Sequence, residues 1–418
     1  MVETSRRKQR SVMLRYPALA ILMGGQWVSQ IGNGVFSLAL PWLVFDLYHS
    51  TVMLGVVGGV GEAAALVSVF SGVFVDRWDR RKTMIVADVV RASVCFGLFL
   101  MADRILASGL AVLLGLVVAL ELSGSFFGGA AWALIPVLVE REDLTRATGA
   151  MRAATTSAGM IGRFVGGAII GAVSAAGGIL ADAISFAASV LSLGLVRTSP
   201  HETPDKLEGL RDFWAEFVTG QTVIWGDIFL TRLVVLGSVL GLFSTVLATL
   251  DVAWVRVDLH GNSLAYAGFW IAAGAGGIIG GLVVNPLARR LSVRGLNAAS
   301  LVAAGLAVAL LSRLPVLVPD LGLMGVMGFA LAVQSTSLNV AIQQSVPSEV
   351  LGRVGGALGA LTASTIPLGA ALSGVFAGMT SVSLIFLISG LAMAAIGALV
   401  SVVLPTAPGN SGKFVGHP

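Results

Sequence analysis

The chain has 418 residues, of which 56% are hydrophobic and only 11% are charged, and its formal net charge at pH 7 is +4. A soluble chain carries roughly a quarter charged residues, so this composition excludes the ordinary soluble classes. Several apolar runs exceed the roughly 18 to 20 residues that cross a bilayer, and we therefore predict a multi-pass membrane protein.

The chain begins with a basic stretch from Arg6 to Arg15, followed by the first apolar run. The run is too long for the apolar core of a signal peptide and has no convincing small-residue cleavage site. We interpret residues 1–16 as a cytoplasmic tail. The single cysteine, Cys95, lies inside an apolar run and is interpreted as a small packing residue;.

Twelve apolar segments follow in chain order, and each is expected to be a helix because backbone groups in hydrocarbon must be satisfied within the segment. We number them 1 to 12. They fall at about 17–45, 51–75, 83–102, 106–137, 149–176, 179–197, 229–255, 264–288, 296–313, 320–344, 353–378 and 381–404.

Lysine and arginine are concentrated in the even-numbered connections between these segments, which predicts that both termini are cytoplasmic. The odd-numbered connections offer only Arg104, Arg256 and Arg313. The positive net charge is therefore explained by topology and by contact with anionic membrane lipids, and we expect no nucleic-acid partner.

The connection between segments 2 and 3 reads SGVFVDRWDRRK over residues 71–82. Its cations predict a cytoplasmic loop, but topology alone does not explain its two carboxylates. The motif residues are Gly72, Asp76, Arg77, Asp79, Arg80 and Arg81.

An ionisable residue inside a predicted helix costs about 2.5–3.5 kcal/mol on insertion scales and so faces the interior, and we take five such residues as candidates for a functional role. They are Glu62, Glu121, Arg163, Asp182 and Asp251. For Asp182 we favour a helix cap or contact with water at the outer end of segment 6. Glu121, Arg163, Glu62 and Asp251 are the candidates for proton coupling. The alternative for Glu121 is a purely structural pair with Arg163, and for Glu62 a structural pair with a neighbouring helix. The alternative for Asp251 is a position near the outer end of segment 7.

The polar linker at 198–228 contains a stretch whose apolar residues share one helical face, which predicts an amphipathic helix at the cytoplasmic surface. A helix that binds a partner protein is the alternative. The apolar face consists of Leu207, Leu210, Phe213, Trp214 and Phe217.

Three pairs of glycines have the spacing that lets membrane helices approach closely: Gly162/Gly166, Gly276/Gly280 and Gly352/Gly356;. The chain has no GxxxxGK[ST] motif, no Cys/His metal cluster and no credible catalytic triad. We therefore expect no cofactor, no metal and no enzymatic activity.

The two halves of the chain are related by an internal repeat, which is typical of a transporter class with parallel repeats. The segment Gly72–Arg81 aligns with Gly281–Arg290 at a shift of 209 residues, and Gly162 aligns with Gly369. The second copy keeps the basic pair but has Asn285 and Ala288 in place of the two acids.

The motif GVFVDRWDRRK resembles the loop signature of the major facilitator superfamily. The strings SQIGNGVFSLALPWLVFDL (29–47), LTRATGA (144–150), ADAISF (181–186) and IPLGAALSG (366–374) are similar to its drug, macrolide and siderophore efflux branch. Asn33 departs from that branch, which often has an acid there, and Gly162-Arg163 stands where that branch has a proline after the glycine.

The resemblance implies an all-α fold of twelve transmembrane helices in two pseudo-symmetric six-helix bundles, with both termini cytoplasmic. It implies that segments 4 and 5 are neighbours, so Glu121 and Arg163 could form an ion pair. It also implies that Asp76 bridges to the start of segment 11 and to a loop arginine. The predicted domains are 1–16, 17–197, 198–228, 229–404 and 405–418.

Polar and aromatic residues on the helices expected to line a cavity suit an amphiphilic cargo. Interhelical hydrogen bonds and interfacial anchoring are the alternative roles of these side chains. The candidates are Gln26, Gln30, Asn33, Phe36, Trp132, Gln334 and Asn339.

We therefore expect a monomeric exporter of an amphiphilic small molecule in the cytoplasmic membrane, working by alternating access as a proton antiporter. An uncoupled facilitator or lipid flippase is the first alternative, and a non-transporting sensor is the second.

Overall fold

The computed structural model describes residues 15–75, 78–104, 109–196, 210–346 and 348–403. Regular secondary structure within these ranges is helical, and ten helices are long and apolar enough to cross a membrane. The prediction of an all-helical, multi-pass protein is confirmed. Large apolar side chains such as Leu191 and Val318 are more than two-thirds exposed on the outer surface, as expected where the surroundings are lipid;.

The chain divides into two compact units. Unit 1 comprises Met1–His49 and Val60–Leu210, and unit 2 comprises Ser50–Gly59 and Arg211–Pro418. The boundary therefore runs through one helix, whose first nine residues belong to unit 2 together with the preceding Ser50. The helices of the first half are α1 (Pro17–Tyr48), α2 (Thr51–Ala65), α3 (Ser68–Val75), α4 (Arg80–Met101), α5 (Leu110–Leu138), α6 (Leu144–Ala172) and α7 (Ala175–Leu195).

The second half begins with the linker helix and continues to the last described residues. Its helices are α8 (Leu210–Gly226), α9 (Ile228–Ala253), α10 (Ser263–Ala288), α11 (Val293–Leu311), α12 (Leu317–Ser345), α13 (Ser348–Ala363), α14 (Ile366–Met379) and α15 (Val382–Val403). A single π-helical turn, Trp254–Asp258, extends α9.

Segments 2 and 11 each form two helices where the sequence predicted one. Pro367 lies in the first turn of α14, where the missing N–H of proline is tolerated and starts a new helix;. Between α2 and α3 the backbone bonding tightens, because Val67 donates to the carbonyl of Ala64 rather than continuing the regular ladder;.

The two units repeat the same packing scheme. In unit 1, α1 packs against α6 and α7, and α4 packs against α5 and α7; in unit 2, α9 packs against α14 and α15, and α11 packs against α12 and α15. Aligned glycines lie at equivalent crossings: a Cβ at Gly162 would collide with the carbonyl of Ile31, and one at Gly369 with the carbonyl of Leu242.

Two of the three predicted glycine pairs are at close helix crossings. Gly166 lies against Val35, and Gly276 and Gly280 lie against the backbone of α12. The third prediction, for Gly352 and Gly356, is wrong, because a Cβ at either position would meet none of the described atoms within 4 Å.

The linker helix α8 packs within unit 2. Its Phe217 contacts a buried core that includes Ile224, and a Cβ at Gly220 would lie 2.5 Å from the carbonyl oxygen of Arg353. Trp214 is exposed and makes an edge-to-face contact with Phe217. Leu207, the first member of the predicted apolar face, lies outside the described residues.

Candidate functional site

A cavity of about 280 Å³ opens inside unit 1, between α1, α5 and α6. Three of the predicted cavity residues, Gln26, Gln30 and Trp132, lie in its wall. The full lining is Leu22, Gln26, Gln30, Phe127, Gly128, Ala131, Trp132, Ile135, Thr148, Met151, Arg152, Thr155 and Thr156.

The lining combines apolar area with a few polar groups, which is the composition of a small-molecule site. Gln26 is 5% exposed, and its amide nitrogen Nε2 has no hydrogen-bond partner among the described residues. Since a buried unpaired donor is costly, Gln26 is prepared to donate to a bound group. Gln30 lies one helical turn further along the same face of α1.

Asn33 and Phe36 do not belong to this lining. The Asn33 side-chain oxygen Oδ1 accepts a hydrogen bond of 2.8 Å from the NH2 group of Arg91 on α4. Phe36 is half-buried on α1. Asn33 thus connects the cavity helix to a buried polar cluster.

Arg91 is the centre of that cluster. Its NH1 group donates to Asp88 at 3.2 Å, one turn earlier in α4, and its guanidinium carbon lies 3.9 Å from the ring centroid of Phe186. The ring of Phe127 lies on another side, at 5.5 Å. Phe127 also lines the cavity, so this ring contacts both Arg91 and the open space.

Asp182 completes the cluster from α7 and corrects the sequence interpretation. It is fully buried, and its oxygens accept hydrogen bonds from Ser185 at 3.0 Å and from the thiol of Cys95 at 3.8 Å. The prediction that it caps a helix or meets water is wrong, because Ser174 caps α7 and Asp182 lies two turns further in.

The atom Nε of Arg91 has no hydrogen-bond partner within the described part of the chain, whereas the hydroxyl of Ser189 on α7 interacts with the carboxylate of Asp88. Asp88 and Asp182 are both 0% exposed, whereas Arg91 is 8% exposed. One buried cation therefore faces two buried carboxylates.

Glu121 on α5 lies close enough to Glu62 and Arg91 for both charges to act on its carboxylate. A Cβ at Gly61 would lie 3.8 Å from Cγ of Glu121, which brings α2 and α5 together at this point. Arg163 is half-buried on α6, and its backbone nitrogen faces Gly34 of α1. The pair between Glu121 and Arg163 stays a prediction.

Asp251 lies near the end of α9 in unit 2 and is fully buried. Its carboxylate accepts from Nε1 of Trp270 at 2.7 Å and from the hydroxyl of Tyr266 at 3.2 Å. A second buried acid, Asp320, accepts from Nε1 of Trp254 at 3.0 Å. Both acids are thus held by indole donors.

The remaining cavity candidates are on α12 of unit 2. Asn339 is exposed and donates to the carbonyl of Ser335 in its own helix, at 2.9 Å, while Gln334 is half-buried. Unit 2 has a smaller, apolar cavity of about 140 Å³ between α9, α10, α11, α12 and α15, whose lining includes Phe243, Met327 and Phe386.

The charged motif is described only in part, because Asp76 and Arg77 lie outside the described residues. Asp79 caps α4 by accepting from the backbone nitrogen of Lys82 at 3.0 Å;. Arg81 donates to the carbonyls of Leu193 and Gly194 at the end of α7. Gly72 belongs to α3 and Arg80 begins α4.

Sequence reasoning missed Asp88, Arg91 and Arg152. The signal for the first two was present, since charged residues three apart inside an apolar segment share one helical face. Arg152 lies between threonines in TRATGAMRAATTSAG. In the sequence this stretch looks like the polar end of a helix, so nothing in it indicates a cavity residue.

A sequence model described as Major Facilitator Superfamily matches residues 22–369 of the chain. The chain is 26% identical to the multidrug efflux pump Tap of Mycolicibacterium fortuitum over 404 residues, which cover 94% of this chain and 96% of that protein. It is 28% identical to the enterobactin exporter EntS of Escherichia coli over 412 residues, covering 94% and 93%.

Solved structures with a similar fold are also transporters. The nucleoside transporter NupG matches with a TM-score of 0.74 and 14% identity, over 92% of this chain and 98% of that chain. A bacterial homologue of the iron transporter ferroportin, in an inward-facing state, matches with a TM-score of 0.70 and 16% identity, over 94% and 100%. At these identities the likeness shows the fold alone.

Proposed function

The chain belongs to the major facilitator superfamily, and from this premise we propose that it exports an amphiphilic small molecule by alternating access, in exchange for protons. It is a multi-pass transporter of the cell membrane and not an enzyme. The relatives and structural neighbours are transporters too. The names of two relatives, a multidrug efflux pump and an enterobactin exporter, support drug-like or siderophore-like cargo.

The proposal includes a complete set of twelve membrane crossings with both termini in the cytoplasm. Ten crossings are the long apolar spans, one of which is formed by α13 and α14 together. In the proposal α2 with α3 supplies one further crossing, and α6 supplies the last. The linker at 198–228 then joins two six-helix halves on the cytoplasmic side, and the protein works as a monomer in contact with membrane lipids.

One observation carries the proposed coupling: Phe127 lines the cavity and also packs against Arg91. A cargo that displaces this ring therefore changes the surroundings of the buried cation. Burying two carboxylates beside one cation favours a bound proton, because an unpaired buried charge is costly. Cargo and proton can thus compete through Arg91.

We place the exchanged proton on Glu121, whose carboxylate interacts electrostatically with both Arg91 and Glu62. We place a second proton site in the buried cluster, on Asp88 or Asp182. Arg163 and Asp251 are further candidates for proton coupling. Movement of Arg91 toward one carboxylate or another would then link proton release to cargo binding.

Purified protein in proteoliposomes tests the proposal. An imposed pH gradient should drive export of a fluorescent amphiphile, and Glu121→Gln should abolish the response to the gradient while leaving downhill movement. Glu142→Gln, an exposed carboxylate outside the cluster, is the matched control. Gradient-driven export that persists in Glu121→Gln removes this residue from the mechanism. Export that ignores the gradient in the unmodified protein favours the uncoupled facilitator.

A further inference from the structure

The cavity of unit 1 has an unbalanced charge. Among the described residues of its lining, Arg152 is the one ionisable residue and none is a carboxylate. The other polar groups are neutral: the amides of Gln26 and Gln30 and the hydroxyls of Thr148, Thr155 and Thr156. A bound cation would find no counter-charge on this wall.

Arg152 is exposed and makes no ion pair with the described residues, so its guanidinium is not engaged by a carboxylate of the protein. Arg15 pairs with Glu140 and Asp143, and Arg146, on the same helix as Arg152, pairs with Asp143 at 3.6 Å. An anionic group in the cavity can therefore pair with Arg152 without displacing a carboxylate of the protein;.

The neutral polar groups point to the same chemistry. The buried Nε2 of Gln26 is a donor without an acceptor, and the hydroxyl of Thr155 already donates to the carbonyl of Met151 at 3.0 Å, so it is free to accept. Phe127 and Trp132 add flat aromatic area. The site therefore matches a ring system that carries acceptor oxygens.

We propose that this cavity selects an aromatic anion, a carboxylate or an ionised hydroxyl on a ring, over a cationic amphiphile. The anionic oxygen pairs with Arg152, a further acceptor oxygen takes the Gln26 amide, and the ring packs against Phe127 and Trp132. The inference rests on the proposed export function and gives its substrate class.

Three probes with the same ring and different charge test the selection: naphthoate, naphthamide and naphthylmethylammonium. Binding to the purified full chain in lipid nanodiscs is measured by calorimetry against empty nanodiscs. Naphthoate should bind about 10-fold more tightly than naphthamide, as expected for one charge-assisted hydrogen bond. Naphthylmethylammonium should show no saturable binding.

Variants assign the effect to residues. Arg152→Gln should lower naphthoate affinity to the level of naphthamide, and Arg152→Lys should retain most of it. Gln26→Leu should weaken naphthoate and naphthamide alike. Arg146→Gln, which removes a cation from the same helix outside the cavity, should behave as the unmodified protein.

Equal or tighter binding of the cation, or unchanged naphthoate affinity in Arg152→Gln, overturns the inference. If naphthoate affinity is unchanged in Arg152→Gln, Arg152 contacts the membrane surface and not the bound anion. Transport of the same probes separates the two proposals. Selective naphthoate binding without transport of any probe rejects export and keeps the binding class, whereas transport of the cation alone rejects the class and keeps export.

Discussion

The guanidinium of Arg91 stacks on the ring of Phe186, with 3.9 Å between the guanidinium carbon and the ring centroid. Such a contact contributes about 2 kcal/mol when both partners are desolvated. It also fixes the direction of the guanidinium, so that NH1 meets Asp88 and NH2 meets Asn33. Three helices, α1, α4 and α7, are thereby joined through one side chain.

Replacing Arg91 with methionine should destabilise the protein strongly. Removing one partner of a buried ion pair costs about 3–5 kcal/mol, because the remaining carboxylate is buried without a cation. We expect a clearly lower midpoint of thermal unfolding in detergent, measured by tryptophan fluorescence. Ser93→Ala, an exposed position on the same helix, should leave the midpoint unchanged. Equal midpoints for both variants would show that Arg91 is not needed to neutralise the cluster.

Gly32 is required where α1 approaches α7. A Cβ at this position would collide with the hydroxyl of Ser185 and with Oδ1 of Asp182. We expect Gly32→Ala to destabilise by about 1–3 kcal/mol, the usual cost of overpacking. Gly24→Ala is the matched control on the same helix, because a Cβ at Gly24 would meet no described atom within 4 Å. The measurement is the midpoint of thermal unfolding of both variants. A midpoint for Gly32→Ala at or above that of Gly24→Ala contradicts the prediction.

Arg15 connects the start of α1 to the connection before α6. It donates to Asp143 and to Glu140, both at 2.6 Å, and Asp143 also accepts from the hydroxyl of Tyr16. Desolvation lowers the pKa of Arg15, but attraction to the two carboxylates outweighs it and leaves the pKa raised, so the pair keeps its cation throughout the neutral range;.

Arg15→Gln should therefore loosen residues 140–146 while leaving the membrane helices intact. The measurement is amide hydrogen exchange, which should speed up in that segment only. Arg141→Gln removes an exposed cation that makes no ion pair with the described residues, and it should leave exchange as it is. Unchanged exchange in Arg15→Gln would mean that the 140–146 segment is held by packing alone.

Asp76→Asn should slow the transport cycle without affecting membrane insertion. The prediction rests on the sequence repeat, since the first copy of the motif keeps acids that the second copy lacks. A transport rate in proteoliposomes, normalised to the amount of inserted protein, is the measurement. Asn285→Ala, at the aligned position of the second copy, should transport at the normal rate. Normal transport by Asp76→Asn would reduce the motif to a signal for membrane topology.

The helices could be predicted from the sequence because each membrane crossing needs a long apolar run, and such runs are visible in isolation. The breaks within segments 2 and 11 could not be placed in this way. Pro367 marks one of them, but no proline marks the break after Ala65, where Val67 donates to the carbonyl of Ala64.

The candidate site was less predictable because it depends on which faces of different helices meet. Gln26 and Gln30 share one face of α1, a relation that the spacing of the sequence contains. The burial of Asp182 depends on the packing of α7 against α1 and α4, which no single segment reveals. Asp182 was placed at a helix end for that reason.

The first nine residues of α2 belong to unit 2, and the contact of Gly55 with Gly374 on α14 explains why. A Cβ on Gly55 would lie 2.8 Å from Cα of Gly374, so the two backbones touch. This has a consequence for dividing the protein by genetic means. A C-terminal fragment that starts in the linker would carry a bare glycine groove on α14. We expect two well-folded fragments only when residues 50–59 are included in the C-terminal fragment.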